Sequence, residues 1–138
     1  MALKKRYKNI LLIDDDDINN MLNRQFLTFS LRDANIVCFQ DASVVIDYLK
    51  AGKIMIPDLI LLDINMPEMD GWEFLYYLNR LGIDTDVMML TSSIHWDDIN
   101  HAKEYSRVKC YIEKPLTGEK IEQFIVNQNF VSIDLDQY

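Results

Sequence analysis

An α/β fold, with a five-stranded parallel sheet covered by helices on both faces, is what this sequence predicts. Three observations carry that reading. Five short apolar runs punctuate the chain: Ile10–Ile13, Ile36–Phe39, Leu59–Leu62, Val87–Leu90 and Val108–Ile112. Each is followed by a stretch with helical spacing or helix signals, giving strand–helix units in alternation. Most of the runs are apolar throughout rather than at every second position, as a sheet buried on both faces requires.

Taken in order, Ile10–Ile13 stops at four aspartates, Asp14–Asp17, so a buried strand gives way to a polar loop. From Ile18 onward Met21, Leu22, Phe26, Phe29 and Ser30 fall at helical spacing, with Asp17 as the candidate cap. Arg32-Asp33-Ala34-Asn35 breaks the pattern, and Ile36–Phe39 follows as a strand rich in β-favouring residues. Ala42–Leu49 puts Val45, Ile46 and Leu49 on one helical face and ends at Ala51-Gly52. Pro57 opens the third strand, which halts at Asp63. The loop Asn65–Gly71 leads into the helix Trp72–Leu81, where Phe74, Leu75 and Leu78 keep helical spacing and Gly82 closes the helix. Asp70-Gly71 reads as a structural turn, with glycine tolerating its backbone angles. The fourth strand ends at Thr91-Ser92. Ile94–Tyr105 predicts a helix of weaker pattern, with His95 and His101 as surface residues and Trp96 either on a signalling face or partly buried against the body. Glu113-Lys114-Pro115 stops the fifth strand. Thr117 is placed to cap a last helix, whose apolar line is Ile121, Phe124 and Ile125, extending to Gln128.

The 138 residues are 49% apolar, with four Gly and three Pro, which predicts one folded domain over 1–138 and argues against disorder. Its core covers about 8–128; residues 129–138 carry no clear period and are expected to form a tail. No apolar run approaches the length of a membrane span, and basic Met1–Lys8 has neither the apolar stretch nor the cleavage site of a signal peptide. A cytoplasmic location is therefore expected. The formal charge is −8, and the basic residues cluster only at Lys4, Lys5, Arg6 and Lys8, which argues against direct nucleic-acid binding. Cys38 and Cys110 lie in apolar segments without a CxxC partner and read as buried structural thiols. His95 and His101 are six apart, which is not a one-face metal spacing.

The polar residues at the strand ends carry the chemistry. Asp14, Asp15, Asp63, Thr91 and Lys114 each lie at or just beyond the carboxyl end of a predicted strand. In an open parallel sheet those ends face one way, and ligands bind in the crevice beyond them. Three crowded carboxylates repel one another, so the arrangement calls for a cation. All-oxygen ligands select a hard ion, and Mg2+ suits them. Lys114 supplies a point charge for a phosphate oxygen and Thr91 a hydroxyl donor. A carboxylate set among these groups is equipped to attack phosphorus.

In these stretches the sequence resembles the receiver domains of two-component response regulators, in outline most like single-domain, chemotaxis-type regulators. The matching segments are LLIDD at Leu11–Asp15, LLDINMPEMDG at Leu61–Gly71, VMMLTS at Val87–Ser92 and YIEKPL at Tyr111–Leu116. The spacings of 48, 28 and 23 residues between Asp15, Asp63, Thr91 and Lys114 fit as well, and the likeness covers roughly residues 8–128. The resemblance implies a flavodoxin-like, doubly wound (βα)5 sheet in the order 2-1-3-4-5. It also implies that Asp63 is the phosphoacceptor, and that Asp15, Asp63 and the Asn65 backbone carbonyl ligate Mg2+ (or Mn2+), with Asp14 acting through water. Lys114, before a cis Pro115, would contact the phosphoryl group. Thr91 and Tyr111 would form the switch, Asn65 and Ser93 would tune the rate of dephosphorylation, and Asp16 and Asp17 would be loop or cap residues.

The function so implied is a phosphorelay receiver, which takes a phosphoryl group from a histidine kinase or histidine phosphotransfer protein. It would signal to a downstream protein or a second copy by repacking the face of the fourth helix, fifth strand and fifth helix. Such a chain is not a conventional enzyme, although it catalyses its own Mg2+-dependent phosphorylation and dephosphorylation. With only a short tail after the last helix, no DNA-binding or catalytic output domain is expected; an excised receiver of a hybrid kinase fits equally. Two alternatives make different demands. A phosphatase or phosphotransferase on a related fold generally has a second catalytic acid two residues after the nucleophile, where this chain has Asn65, an amide that cannot act as one. A degenerate receiver used only for binding predicts loss of Asp63, Lys114 or an acidic-pair residue, and all are present.

Overall fold

The computed structural model describes residues 4–92 and 94–130. In chain order its elements are β1 (Asn9–Ile13), α1 (Asp17–Ser30), β2 (Asn35–Phe39), α2 (Ala42–Ala51), β3 (Leu59–Asp63), α3 (Gly71–Leu81), β4 (Asp86–Thr91), α4 (Trp96–Ala102), β5 (Val108–Glu113) and α5 (Gly118–Lys120). A π-helical segment, Ile121–Val126, continues directly from α5. The five strands form one sheet in the order β2-β1-β3-β4-β5, with every neighbouring pair parallel, as predicted. This is the flavodoxin-like α/β fold.

Strand alternation divides the core into two layers. Leu11, Ile13, Ile60, Leu62, Val87, Met89 and Tyr111 face one way, against Val45, Ile46, Phe74, Leu78, Ile99 and Ala102 of α2, α3 and α4. Ile10, Leu12, Leu59, Leu61, Met88, Leu90 and Ile112 face the other way, against Leu27 of α1 and Ile121 and Ile125 beyond β5. The central strands β3 and β4 are buried along their whole length, which explains their continuous apolar sequence.

Several local expectations need correction. The cap of α1 is Asp16, whose side chain accepts from Ile18 and Asn19 N–H, one residue earlier than predicted. More consequentially, the apolar line of α1 points outward: Ile18, Met21, Leu22, Phe26 and Phe29 are exposed, while Asn20, Asn23 and Leu27 are buried. The cause is visible at Asn20. Its amide donates to the carbonyls of Asp14 at 2.9 Å and Phe39 at 3.2 Å, tying the helix to the ends of β1 and β2 and setting its rotation. Helix α4 is shorter than predicted, and His95 is its N-cap residue rather than a helical one. Gln128 leaves the apolar line of the last helix; it takes φ 52° and bonds the backbone of Lys5 through both ends of its amide. Both cysteines are free, Cys110 buried and Cys38 only half-buried. Burial pushes the Cys110 thiol up to about 12, which leaves it unreactive. Among the described residues no helix is long and apolar enough to cross a membrane.

Candidate functional site

Strand register assembles the site. Ile13 pairs with Leu62, so the next residues along, Asp14 and Asp63, stand side by side at the carboxyl ends of β1 and β3. Asp63 pairs with Leu90, and Thr91 with Glu113, which brings the end of β4 and then Lys114 alongside. Four crossovers thus collect residues 100 positions apart, because every parallel strand ends on the same side.

Asp14, Asp63 and Thr91 are buried, whereas Asp15 is exposed at the rim. Lys114 Nζ lies 3.0 Å from Asp14 Oδ2 and 3.3 Å from Asp63 Oδ1. Its backbone N–H donates to the Thr91 carbonyl at 2.7 Å, and the Lys114–Pro115 peptide is cis, as the resemblance implied. Burial pushes Asp63 up to about 6: Lys114 pulls it back down, and the neighbouring charge of Asp14 pushes it further up. Burial by itself would lower Lys114, but the bond to Asp14 and the two carboxylate charges outweigh it and raise its pKa.

Oxygens of Asp14, Asp15 and Asp63 all lie within 4.8 Å of one another. Three hard donors so close, with one lysine to offset their charge and one carboxylate open to solvent, fit a divalent ion such as Mg2+ or Mn2+. The chemistry of the donor set thus agrees with the metal expected from the sequence.

The loop after Asp63 is held against the site. The Asn65 N–H donates to Asp63 Oδ1 at 3.4 Å, and the Gly71 N–H donates to the Ile64 carbonyl at 2.9 Å. Glu68 sits at φ 65°, in the left-handed region. Asp70 caps α3 through the Glu73 N–H. Gly71 is required by proximity rather than by its backbone angles: a Cβ there would lie 2.9 Å from the Asp63 carbonyl oxygen and 3.0 Å from Ile64 Cα.

Thr91 follows Met89 by two, so its side chain shares the sheet face of Tyr111. Tyr111 is buried, and its hydroxyl donates to the Asp98 carbonyl of α4. Burial and the charge of Asp98 hold its pKa far above the usual phenol range. Ser93 lies outside the described residues. His101, expected as a surface residue, is half-buried and stacks on Trp72; nothing in its spacing signals that contact.

The comparisons with known proteins agree with this geometry. The family model "Response regulator receiver domain" matches residues 10–126. Among curated relatives, a probable C4-dicarboxylate response regulator, DctR, of Priestia megaterium is 27% identical over 98% of this chain and 58% of its own length. Its counterpart in Halalkalibacterium halodurans is 34% identical over 82% of this chain and 47% of its own. The chain thus spans about half the length of these relatives. Among solved structures, a two-component response regulator from Cytophaga hutchinsonii superposes with a TM-score of 0.75 at 29% identity, covering 91% of this chain and 98% of that one. The Mn(2+)-bound form of response regulator Rcp1 gives 0.73 at 28% identity, covering 86% and 94%. With the matched model spanning all five strands, and the carboxylate cluster lying at their ends, the chain belongs to the response regulator receiver domain family.

Proposed function

We propose that this receiver takes a phosphoryl group onto Asp63 from a phosphohistidine donor and passes on the change through the face formed by α4, β5 and the last helix. The observation that carries the reading is the setting of Asp63: a buried carboxylate, flanked by Asp14 and bridged by Lys114. A carboxylate oxygen attacks phosphorus, the P–N bond to the donor imidazole breaks, and the imidazole leaves with a proton. Lys114 is placed to neutralise a phosphoryl oxygen, and the Thr91 hydroxyl to donate to one. Asp14, Asp15, Asp63 and the Asn65 carbonyl would hold a divalent ion, which when bound offsets the charge on the entering group; Rcp1 is a relative solved with Mn(2+). Asn65 and Ser93 would tune the hydrolysis that returns Asp63 to its free form.

The phosphoryl group adds charge and three acceptor oxygens. Drawing Thr91 toward them bears on Tyr111, which shares its sheet face, and through the Tyr111–Asp98 bond on α4. This is a shift between two states of modest free-energy difference. The exposed apolar face of α1, beginning three residues past Asp15, is the surface a protein donor would cover. One receiver domain over 1–138 is the organisation we favour within this chain, and a histidine kinase or phosphotransfer protein the partner class.

The experiment is incubation with Mg2+ and acetyl phosphate, followed by intact mass. One added phosphoryl group, base-labile and lost in Asp63→Asn, is expected. Labelling that survives Asp63→Asn, or none in the parent, overturns the assignment.

A further inference from the structure

Helix α4 carries the Tyr111 contact yet is slenderly attached. It has seven residues and buries only Ile99 and Ala102. Besides the core layer that Ile99 and Ala102 share with Phe74 and Leu78, a pair of rings joins it to α3. Trp72 and His101 stack with centroids 4.1 Å apart and planes 18° from parallel. Tyr105 closes the cluster, 6.4 Å from Trp72 and 5.9 Å from His101, and His101 Nε2 lies 3.8 Å from Glu104 Oε2.

Trp72 is fixed with respect to Asp63. It is the second residue of α3, directly after Gly71, where an added Cβ would lie only 2.9 Å from the Asp63 carbonyl oxygen. The stack therefore links the backbone that carries Asp63 to the far end of α4, on a route separate from Thr91 and Tyr111.

We propose that Trp72 and His101 form a latch, a pair of positioning residues that holds α4 against α3 and against which the switch must work. The second part rests on the reading of Asp63 given above. If phosphorylation moves α4, the stack belongs to the unswitched state, and weakening it lowers the cost of switching. By linkage the altered protein then accepts phosphate more readily.

Two measurements on the full chain test this: hydrogen exchange of the α4 amides without any phosphodonor, and the rate of Asp63 labelling by acetyl phosphate with Mg2+. His101→Ala is the primary variant, because its half-exposed side chain can be removed without opening the core. Trp72→Leu and the double variant complete a cycle, and His101→Phe keeps a ring able to stack. His101→Ala should speed α4 exchange and labelling each by about 3- to 10-fold, the range a lost aromatic pair implies. The double variant should exceed neither single one, and His101→Phe should return both readouts to parental values. Unchanged α4 exchange in His101→Ala overturns the latch. Faster exchange with unchanged labelling overturns its role in switching while leaving Asp63 as phosphoacceptor. A parent that does not label overturns the reading of Asp63 and the switching role together, and α4 exchange still decides the latch.

Discussion

Lys114 Nζ bridges Asp14 and Asp63, 3.0 Å from one carboxylate and 3.3 Å from the other, across 100 residues of sequence in the first case. A single cation thus holds two buried carboxylates that would otherwise repel. Removing it leaves both uncompensated. Lys114→Gln should therefore destabilise the metal-free protein at pH 7 by about 1–3 kcal/mol, somewhat below the cost of breaking a fully buried pair because one side of the site is open. Urea denaturation with a chelator present measures it. Saturating Mg2+ should recover part of the loss, since a second cation then enters the same cluster.

The pH dependence follows from Asp63. Its folded pKa, about 6, is raised above the ordinary carboxylate value of 3.8. A raised pKa means that this group's contribution is fully present below about 3.8 and is lost as the pH climbs through about 6. Asp63→Asn cannot ionise and escapes that loss. At pH 7.5 without metal it should exceed the parent in stability by about 1–3 kcal/mol, and at pH 4 the difference should vanish. Divalent-ion affinity of the parent should fall below about pH 6, because the proton and the metal compete for Asp63. Denaturation of the two proteins side by side at both pH values cancels the other carboxylates.

Gly71 yields a steric prediction. The Cβ of Gly71→Ala would meet backbone atoms at 2.9 and 3.0 Å, and backbone cannot move aside as a side-chain tip can. The loop between β3 and α3 must shift, at a cost of about 1–3 kcal/mol. Because that loop adjoins Asp63, acetyl phosphate labelling should slow as well. Labelling at the parental rate in Gly71→Ala would show that the close approach has no bearing on the site.

The central strands were legible because full burial leaves an unambiguous apolar run, the edge strand β2 through its β-favouring residues, and the site was legible because parallel strands must all end on one side. Asp14, Asp63, Thr91 and Lys114 meet for that reason. What escaped was anything decided by a single tertiary contact. The apolar spacing of α1 promised a core face through Met21, Leu22, Phe26 and Phe29, yet two hydrogen bonds from Asn20 turn that face to solvent. The stacking of His101 on Trp72 joins residues on separate helices, and neither carries a periodic signal. Helix α4 is shorter than its sequence suggests for the converse reason: its pattern is weak, and only Ile99 and Ala102 of it are buried.

The outward turn of α1 is itself testable in two parts. Asn20→Ala removes both amide bonds and leaves the carbonyls of Asp14 and Phe39 without that donor, so a loss of about 1–3 kcal/mol is expected in urea denaturation. Phe26→Ser and Phe29→Ser, by contrast, change side chains that are 43% and 75% exposed, and each should alter stability by no more than about 0.5 kcal/mol. If the face is where a phosphodonor protein sits, the two serine variants should label with acetyl phosphate at the parental rate. They should accept phosphate from a phosphorylated histidine phosphotransfer protein at least about 5-fold more slowly, since an apolar anchor at an interface is worth upwards of about 1 kcal/mol. Equal slowing with both donors would instead locate the defect at Asp63, and parental rates with both would remove α1 from the docking surface.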